Sequence, residues 1–502
     1  MLEQYFNQFR QHIIGHDLNV DFNNTKRDVV YADWTASGRL YQPIETFLVE
    51  QLGPYVANTH TETNLTGSTM TRAYHDAQQI IKRHVNASAN DALISAGSGM
   101  TTVVNKLQRM LGLRVPERFK TLAAESNLRP VVFITHMEHH SNQTTWNACE
   151  VDVVILAKGA DGKPCIQDLK QQLEIYKQRT LKIGSFTACS NVTGIKTDYH
   201  LMAKIMHQHG GLCFVDFACS APYVDIDMHP SDPEQKLDAI FFSPHKFLGG
   251  PGSSGILVFD KALYGNKIPD QPGGGTVTWT NPWGQQGFYD DVEVREDGGT
   301  PGFLQTIKVA LAIKLKDQMG TDKIHQREQQ LTNILLNGLA NIDGVGLLEG
   351  DIKDRLCIVS FYVKDMHYNL MVRLLNDRFG IQSRGGCSCA GTYGHILLNV
   401  DKSTSGNITG QIDQGDLSAK PGWIRVSLHP TSTDAEARFI VQAVNEIVKN
   451  AQQWQQDYRF DPLTADYIPI VESTSSIINI ADFDPMPKQQ PDNWLSRFLQ
   501  RT

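Results

Sequence analysis

The chain lacks the features that mark a membrane or a secreted protein. Its 502 residues contain no apolar run of about 18 residues, which is roughly what a membrane-spanning helix needs. The N-terminus, MLEQYFNQFRQHIIGHDLNV, has no basic stretch followed by an apolar one. We therefore expect neither a signal peptide nor a membrane partner.

Positive charge and clustered cysteines are also scarce. The formal net charge is −8, so the electrostatic argument for a nucleic-acid partner is poor. The eight cysteines are scattered, with one close pair at Cys387 and Cys389. This pattern is typical of free thiols in a reducing compartment, and it predicts a cytoplasmic protein.

Short apolar segments alternate with amphipathic ones between about residues 90 and 260. This alternation predicts an α/β fold with a mostly parallel sheet that is covered on both faces. The predicted strands are DALISAGSG, PVVFIT, VDVVIL, KIGSFTA, LCFVDF and LDAIFF. The predicted helices are MTTVVNKLQRMLGL, DLKQQLEIYKQ with Asp168 as N-cap, and DYHLMAKIMHQHGG with Asp198 as N-cap.

Five polar clusters fall at the ends of these predicted strands: SAGSGM, THMEHH, SNVTG, VDFACS and SPHK. Ligands of open α/β sheets bind at the carboxyl ends of the strands, so the five loops are expected to share one crevice. In SPHK, Lys246 follows an apolar strand, where loss of solvation lowers the pKa of an amine and lets it form a Schiff base. Ser243 and His245 would bind an anion beside it. A solvated loop lysine is the alternative.

Three other motifs each allow two interpretations. Ser98 and Gly99 in SAGSGM begin a helix whose N-terminus suits a phosphate, or they form a plain turn. Asp216 in VDF suits the protonated ring nitrogen of pyridoxal phosphate (PLP), or it caps a turn. The glycines of GGPGSSG run into ILVF, which predicts a strand, so a dinucleotide site is not supported.

The histidine and cysteine clusters do not have the spacing of metal sites. THMEHHSN lacks H-E-x-x-H, and RGGCSCAG supplies two thiols with no second pair nearby, so we expect no metal. An imidazole stacking on a planar cofactor is one alternative for the first cluster. Cys389, beside Arg384 on a mobile loop, is a nucleophile or an inert turn residue. Arg425 in GWIRVS holds a carboxylate or a structural ion pair.

SPHK, MEHHSN, SNVTG, VDFACSAP and RGGCSCAG, in their order and spacing, resemble the class V aminotransferase group of PLP enzymes over about residues 28–450. Within that group they resemble cysteine desulfurases and selenocysteine lyases. The resemblance implies PLP-dependent transferase fold type I, with a large domain and a smaller α+β C-terminal domain. The predicted divisions are an N-terminal segment 1–27 that joins the small domain, a large domain 28–304, a small domain 305–454 with an inserted loop 391–422, and an extension 455–502.

The resemblance also implies roles for individual residues. The cofactor-binding set is Lys246 (Schiff base), Asp216 (ring nitrogen), His139 (stacking on the ring), Asn191 (ring hydroxyl), and Ser243, His245, Ser98, Gly99 and Thr300 (phosphate). The catalytic set is Lys246, His139 and Cys389, and the substrate-binding set is Arg425 and Arg384. Thr300 would reach the phosphate of the neighbouring subunit, which implies a homodimer with active sites at the interface.

The implied reaction removes sulfur or selenium from L-cysteine or selenocysteine, giving alanine and a Cys389 persulfide for a sulfur-acceptor protein. Cys219 departs from the family pattern by replacing the glutamine of Asp-x-Ala-Gln. About thirty extra residues follow the Cys389 loop, and residues 272–290 are rich in Trp. These departures keep a C–S lyase, an epimerase or an aminotransferase open as alternatives, and a non-catalytic sulfur carrier is the third hypothesis.

Overall fold

A computed structural model describes residues 1–22, 25–59, 61–117, 129–471 and 478–486. Much of the predicted 455–502 extension, namely 472–477 and 487–502, lies outside the described residues. The strands of the described part, in chain order, are β1 (Asn19–Phe22), β2 (Thr25–Asp28), β3 (Val30–Tyr31), β4 (Asp91–Ala96), β5 (Val131–Ile134), β6 (Asp152–Ile155), β7 (Lys182–Thr187), β8 (Leu212–Asp216), β9 (Ala239–Phe242), β10 (Gly255–Asp260), β11 (Val277–Thr280), β12 (Gln286–Phe288), β13 (Val345–Leu347), β14 (Ile358–Val363), β15 (Ile381–Gln382), β16 (Arg384–Gly386), β17 (Trp423–Ser427), β18 (Tyr458–Asp461) and β19 (Asp466–Pro469).

The described α-helices lie between these strands. They are α1 (Leu2–Arg10), α2 (Gln42–Thr46), α3 (Leu65–His84), α4 (Met100–Met110), α5 (His140–Asn147), α6 (Ile166–Ile175), α7 (Tyr199–Gln208), α8 (Val292–Arg295), α9 (Phe303–Met319), α10 (Thr321–Ala340), α11 (Tyr368–Phe379), α12 (Gly391–Leu397), α13 (Lys402–Asp413) and α14 (Asp434–Trp454). None of the described helices is long and apolar enough to cross a membrane.

The main sheet has seven strands in the order β4-β10-β9-β8-β7-β5-β6. Strands β6, β5, β7, β8 and β9 pair in parallel, and β10 runs antiparallel to both β9 and β4. The predicted mostly parallel sheet is therefore confirmed. The central strands β5, β7 and β9 are buried along their whole length and β8 is buried except at Leu212, as their continuous apolar sequences require. The glycines of GGPGSSG do lead into a strand, β10, rather than a helix.

Because β4, β5, β7, β8 and β9 run in one direction, their carboxyl ends meet at one edge of the sheet. The five polar clusters follow these strands directly, at positions 96, 134, 187, 216 and 242. The predicted convergence of five loops is thus a consequence of strand direction. The candidate reactive side chains therefore lie on turns that the buried sheet holds in position.

Two predicted helix caps differ from the structure. Helix α6 begins at Ile166 with Cys165 as its N-cap, so the prediction of Asp168 as N-cap is wrong. Asp168 lies in the first turn, and its carboxylate accepts a hydrogen bond from the main-chain N–H of Ala157 at 2.7 Å. Asp198 does occupy the N-cap position of α7 but makes no side-chain cap hydrogen bond, because its carboxylate pairs with Lys163 at 2.9 Å.

A second sheet, in the order β13-β14-β17-β16, is antiparallel. Its buried side packs with α10, α11 and α14 around Val359, Leu374, Val426 and Ile440. The N-terminal part of the chain reaches this region because β3 pairs in parallel with β15. The domain boundaries remain a prediction.

The inserted and Trp-rich segments contain local structure. The 391–422 insertion holds α12 and α13, and no residue of α13 is buried. The Trp-rich segment forms the β11–β12 hairpin, on which Trp279 and Trp283 are 52% and 83% exposed. A second hairpin, β18–β19, follows α14.

Gly250 packs closely against the turn that carries Lys246. A Cβ atom at Gly250 would lie 1.9 Å from the main-chain oxygen of Pro244, so no larger residue fits without moving that turn. We predict that Gly250→Ala lowers the free energy of unfolding by about 2 kcal/mol or more. Gly274→Ala is the matched control, since a Cβ atom there would have nothing within 4 Å, and it should change stability by less than about 1 kcal/mol. Urea unfolding of both variants checks this, and equal effects would contradict it.

Candidate active site

All five polar clusters line one cavity of about 230 Å³ at the carboxyl edge of the main sheet. The cavity wall is completed by the second sheet and by the segment after β3, which contribute Arg384, Ser388, Cys389, Arg425, Thr35 and Ala36. The pocket therefore lies where the two sheets face each other. A ligand in it would contact residues from both halves of the chain.

Lys246 ends a short 3-10 turn, Pro244–Lys246, directly after β9. Burial lowers the pKa of its amine, while Cys219 and then Asp216 raise it by their negative charge. Burial is the largest of these effects, so the neutral amine is favoured relative to an exposed lysine. A neutral amine is the form that attacks a carbonyl carbon.

Asp216 is the last residue of β8 and is 3% exposed. Its carboxylate accepts a hydrogen bond from the main-chain N–H of Ala218 at 2.7 Å. Burial raises its pKa to about 6, although the Ala218 N–H and the charge of Lys246 lower it. A buried carboxylate with few partners favours a cationic or N–H donor in the cavity.

His139 is the N-cap of α5, and its Nδ1 accepts a hydrogen bond from the main-chain N–H of Ser141 at 3.1 Å. Burial lowers its pKa to about 3, with further lowering by the positive charge of Lys246. The imidazole is therefore neutral, with its remaining proton on Nε2. A neutral ring in the cavity wall suits stacking on a planar ligand.

The N-terminus of α4 forms a cradle with the SPHK turn. The Oγ of Ser243 accepts a hydrogen bond from the main-chain N–H of Met100 at 2.9 Å, and the Nδ1 of His245 lies 2.9 Å from the main-chain oxygen of Ser98. A Cβ at Gly99 would be 3.1 Å from the Ser243 Oγ. Helix N–H groups, a hydroxyl and an imidazole around a glycine are the donors that a phosphate group requires.

Three buried polar atoms of the described cavity wall have no hydrogen-bond partner: Oδ1 of Asn191, Oγ1 of Thr35 and Nε of Arg425. Buried polar atoms are normally paired, so these three indicate a polar ligand. With the phosphate cradle, the buried Asp216 and the reactive Lys246, they fit PLP. The sequence-predicted residues Lys246, Asp216, His139, Asn191, Ser243 and His245 all line this one cavity, and Ser98 and Gly99 contact its rim.

The Cys389 loop is anchored to the main sheet. The main-chain oxygen of Cys389 accepts from the N–H of His140 at 2.7 Å, and the N–H of Gly391 donates to Nε2 of His140 at 2.9 Å. Asn191 donates from its Nδ2 to the main-chain oxygen of Ser388 at 2.7 Å. Ser388 and Cys389 have φ values of +51° and +55°. These hydrogen bonds place the exposed Cys389 thiol at the cavity, and the mobility of its loop stays a prediction.

Arg384 and Arg425 lie directly opposite each other on β16 and β17. The carboxylate of Asp33 bridges them, with distances of 3.0 Å to Nε of Arg384 and 2.7 Å to Nη2 of Arg425. Arg425 also donates from Nη1 to the main-chain oxygen of Asn191 at 3.1 Å. Its Nε is buried and unpartnered. Two cations that share one carboxylate leave a positive site for a substrate anion.

Thr300 is separate from this constellation. It is exposed and is not among the residues that line the cavity of its own chain. Its role at a neighbouring subunit stays a prediction. Among the described residues, no group of three or more His, Cys, Asp or Glu side chains is arranged to hold a metal ion.

Several cavity residues were not singled out from the sequence. They are Thr35, Thr187, Cys189 and Ser388 in the wall, together with Asp33 behind it. Ser388 lies within RGGCSCAG, which was recognised for Cys389, whereas Cys189 lies between the predicted strand KIGSFTA and the motif SNVTG. Asp33 follows the two-residue strand β3, which is too short to carry a periodic signal.

The sequence profile described as aminotransferase class-V matches residues 30–439. The chain belongs to this family. The match confirms the family that the motifs predicted, and it confirms the prediction of an enzyme. A relative from Staphylococcus aureus (strain Mu50 / ATCC 700699), named "Probable cysteine desulfurase", is 29% identical over 374 residues, covering 73% of this chain and 84% of that protein. A relative of the same name from Halalkalibacterium halodurans is 29% identical over 370 residues, covering 72% and 84%.

Solved structures confirm the fold. The apo structure of a cysteine desulfurase from Thermococcus onnurineus NA1 superposes with a TM-score of 0.70 at 20% identity, covering 88% of this chain and 98% of that one. An Escherichia coli cysteine desulfurase in an S-sulfonic acid form gives a TM-score of 0.67 at 20% identity, with the same coverage. The predicted fold type I is therefore confirmed.

The raised pKa of Asp216 makes a prediction about the cofactor-free protein. Its folded-state pKa of about 6 lies above the ordinary value of 3.8, so the unfolded chain releases this proton at lower pH. The cost of buried Asp216 to stability therefore grows as pH rises from about 4 to about 6 and levels off above that, at about 3 kcal/mol. Asp216→Asn should stabilise the cofactor-free protein, and this gain should grow by about 1 kcal/mol between pH 5 and pH 8.

Urea unfolding at the two pH values measures this difference. The exposed Asp413→Asn is the control for removing a surface carboxylate, and it should change stability by less than about 0.5 kcal/mol. A gain for Asp216→Asn that is equal at pH 5 and pH 8 would show that the carboxylate has the same ionisation at both, and would contradict a raised pKa.

Proposed function

We propose that this chain is a PLP-dependent cysteine desulfurase, which transfers sulfur from L-cysteine to Cys389 and releases alanine. The observation that supports this most is that Cys389 and Lys246 line the same cavity. A lysine that can activate an amino acid at Cα is thereby combined with a thiol that can accept the substrate's sulfur. The relatives from Staphylococcus aureus and Halalkalibacterium halodurans are both named as probable cysteine desulfurases, which supports the same function.

The cofactor would be held by residues already described. Lys246 would bond to its aldehyde carbon, Asp216 would pair with its ring nitrogen, and His139 would stack on its ring. The unpartnered Asn191 Oδ1 would accept from a ring substituent, and the cradle of Ser243, His245, Ser98 and Gly99 would bind its phosphate. When bound, PLP supplies an electron sink that makes the substrate Cα proton acidic.

Proton movement at the substrate is assigned to Lys246. Burial favours its neutral amine, so it can accept the Cα proton, and the same group can return a proton later. The neutral imidazole of His139 is held in the cavity wall by its hydrogen bond from Ser141.

Sulfur transfer is assigned to Cys389. Its thiolate attacks the substrate sulfur, and the bond between that sulfur and the substrate Cβ breaks. One L-cysteine and one Cys389 thiol then become one alanine and one Cys389 persulfide, with no oxidant or reductant consumed. The hydrogen-bonded loop keeps the thiol at the cavity, which favours attack by orientation.

The substrate carboxylate is assigned to Arg425, with Arg384 beside it at the half-exposed mouth of the site. The buried and unpartnered Nε of Arg425 is available for such an anion. Asp33 holds both guanidinium groups in position by its two oxygens. A small α-amino acid is therefore the substrate class that suits the site.

A PLP-dependent C–S lyase, epimerase or aminotransferase is the second candidate. It is favoured by Cys219, which lies in the cavity wall where the family pattern has glutamine. Such a change alters the contacts near the ring and with them the reaction that follows deprotonation. A lyase would give pyruvate and ammonia from L-cysteine in place of alanine.

The homodimer, the sulfur-acceptor protein and the cytoplasmic location belong to the same proposal. The exposed Thr300 and the exposed Trp279 and Trp283 support a partner subunit at this face. The exposed Cys389 supports delivery of sulfur to an acceptor protein. All eight cysteines are free, which supports a reducing compartment.

The assignment of Cys389 makes a direct prediction. Cys389→Ala should keep the absorbance of bound PLP, because the residue does not hold the cofactor, but lose alanine formation by at least about 100-fold, because the nucleophile is gone. Cys387→Ala is the matched control in the same loop and should retain most activity. Alanine quantified after incubation with L-cysteine checks this. Full alanine formation by Cys389→Ala would exclude the persulfide route.

The dimer makes a separate prediction. Light scattering should give twice the chain mass of 56.1 kDa. Thr300→Ala should weaken PLP binding by about tenfold through the loss of one hydrogen bond to a charged group, as titration by absorbance would measure. Thr180→Ala, which is also exposed but lies before β7 at the opposite edge of the main sheet, is the control and should have no effect. A monomer, or unchanged affinity in Thr300→Ala, would contradict the contribution of a second subunit.

A further inference from the structure

Two thiols lie together in the cavity wall, and the proposed reaction uses neither. Cys189 follows β7, and Cys219 follows β8. The Sγ of Cys219 donates to the main-chain oxygen of Cys189 at 3.0 Å, so the two residues are in direct contact. Both residues line the cavity, and both are free.

The neighbouring strands hold this contact in place. Thr187 and Asp216 are register partners at the ends of β7 and β8, and the N–H of Ala188 donates to the main-chain oxygen of Asp216 at 2.8 Å. The chain then turns on both sides, so that each thiol falls a few residues beyond a paired position. The Sγ of Cys189 also donates to the main-chain oxygen of Gly194 at 3.1 Å. The two sulfurs are therefore fixed next to each other by the sheet.

We propose that Cys189 and Cys219 are a redox-active pair, which hydrogen peroxide oxidises to a disulfide inside the active-site cavity. A pair of adjacent thiols that open onto a cavity is the arrangement in which a first oxidised sulfur is captured by a second before further oxidation. This inference concerns the cavity wall and does not depend on which amino acid the enzyme uses.

Cys219 is the sulfur that reacts first. It is 5% exposed, whereas Cys189 is 1% exposed. Burial raises the pKa of the Cys189 thiol, and its contact with Cys219 raises it further.

The chemistry balances with peroxide as the only co-reactant. The Cys219 sulfur attacks one peroxide oxygen, the O–O bond breaks, and a sulfenic acid and one water result. The Cys189 sulfur then attacks the Cys219 sulfur, and its hydroxyl leaves as a second water. The two thiols lose two protons and two electrons, and peroxide is reduced to two waters. A dithiol reductant reverses the disulfide by exchange.

The cofactor should protect the pair. Cys219 shares the cavity with Lys246 and Asp216, so a ligand bound between those residues covers the Cys219 sulfur. The cofactor-free protein should therefore form the disulfide several-fold faster than the loaded protein. A disulfide formed first would change the wall beside Lys246 and slow loading of PLP.

Peptide mapping of the full-length protein tests the proposal. Loaded and cofactor-free protein are treated with hydrogen peroxide, their remaining thiols are alkylated, and trypsin is used without reductant. Peptide 183–196, which contains Cys189, should be linked to peptide 205–236, which contains Cys219. The link should disappear on reduction with dithiothreitol and should form more slowly in the loaded protein.

The second thiol of peptide 205–236 supplies a matched control. Cys213 is also fully buried but packs in the core and is not a cavity residue. Cys213→Ser should keep the linked peptide, and Cys219→Ser should abolish it; circular dichroism confirms that both fold. Peptide 385–402 holds Cys387 and the exposed Cys389 and reports that peroxide has reacted. Oxidation of that peptide with no 183–196 link, or a link that needs Cys213, would overturn the proposal.

Discussion

The burial of Lys246 is the constraint on which the rest of the site depends. An ammonium group at the end of a buried strand is costly, so the fold favours its neutral form and thereby makes the amine reactive. The same burial acts on Asp216 with the opposite sign of charge and raises its pKa. The two groups attract each other only in their charged forms, which burial disfavours. Without a cofactor, Lys246 and Asp216 therefore lack good bonding partners. A cofactor with an aldehyde for Lys246 and a protonated ring nitrogen for Asp216 would supply them.

Asn191 connects the two functional parts of the cavity. Its side chain holds the Ser388 carbonyl of the Cys389 loop, its main-chain oxygen holds Arg425, and its free Oδ1 faces the cavity. The thiol that would accept sulfur and the arginine that would bind the substrate are therefore positioned by one residue after β7. Through Asn191, the Cys389 loop, which belongs to the second sheet, is anchored at a site whose other residues come mainly from the main sheet.

The sequence predicted the parts of the site that depend on strand direction. Lys246, Asp216, His139, Asn191 and the phosphate cradle each follow an apolar strand, and parallel strands bring their ends together without further information. What the sequence could not predict depends on contacts across long distances. Asp33 and Arg384 are 351 positions apart in the sequence, so no local sequence pattern predicts their ion pair. The contact of Cys189 with Cys219 depends on the register of β7 and β8, which hydrophobicity alone does not determine because both strands are buried on both faces.

The wrong N-cap prediction for α6 has a cause in the local sequence. Asp168 lies in the first turn of α6, where an acidic residue is as favourable as at the N-cap, and composition does not separate the two positions. The Gly-rich sequence around Cys389 did not predict the hydrogen bonds that link its loop to His140 and Asn191. Glycine content indicates which backbone conformations are accessible, whereas the hydrogen-bond partners determine which one is adopted.

The product formed from L-cysteine tests the central claim most directly. Purified protein loaded with PLP is incubated with L-cysteine, and alanine, pyruvate and ammonia are measured together with the mass of the Cys389 peptide. We expect alanine in amounts that match the sulfur recovered, with the mass of one sulfur atom added to Cys389. Pyruvate and ammonia, with Cys389 unmodified, would mean that the cavity directs a lyase reaction and that the Cys389 thiol does not accept sulfur.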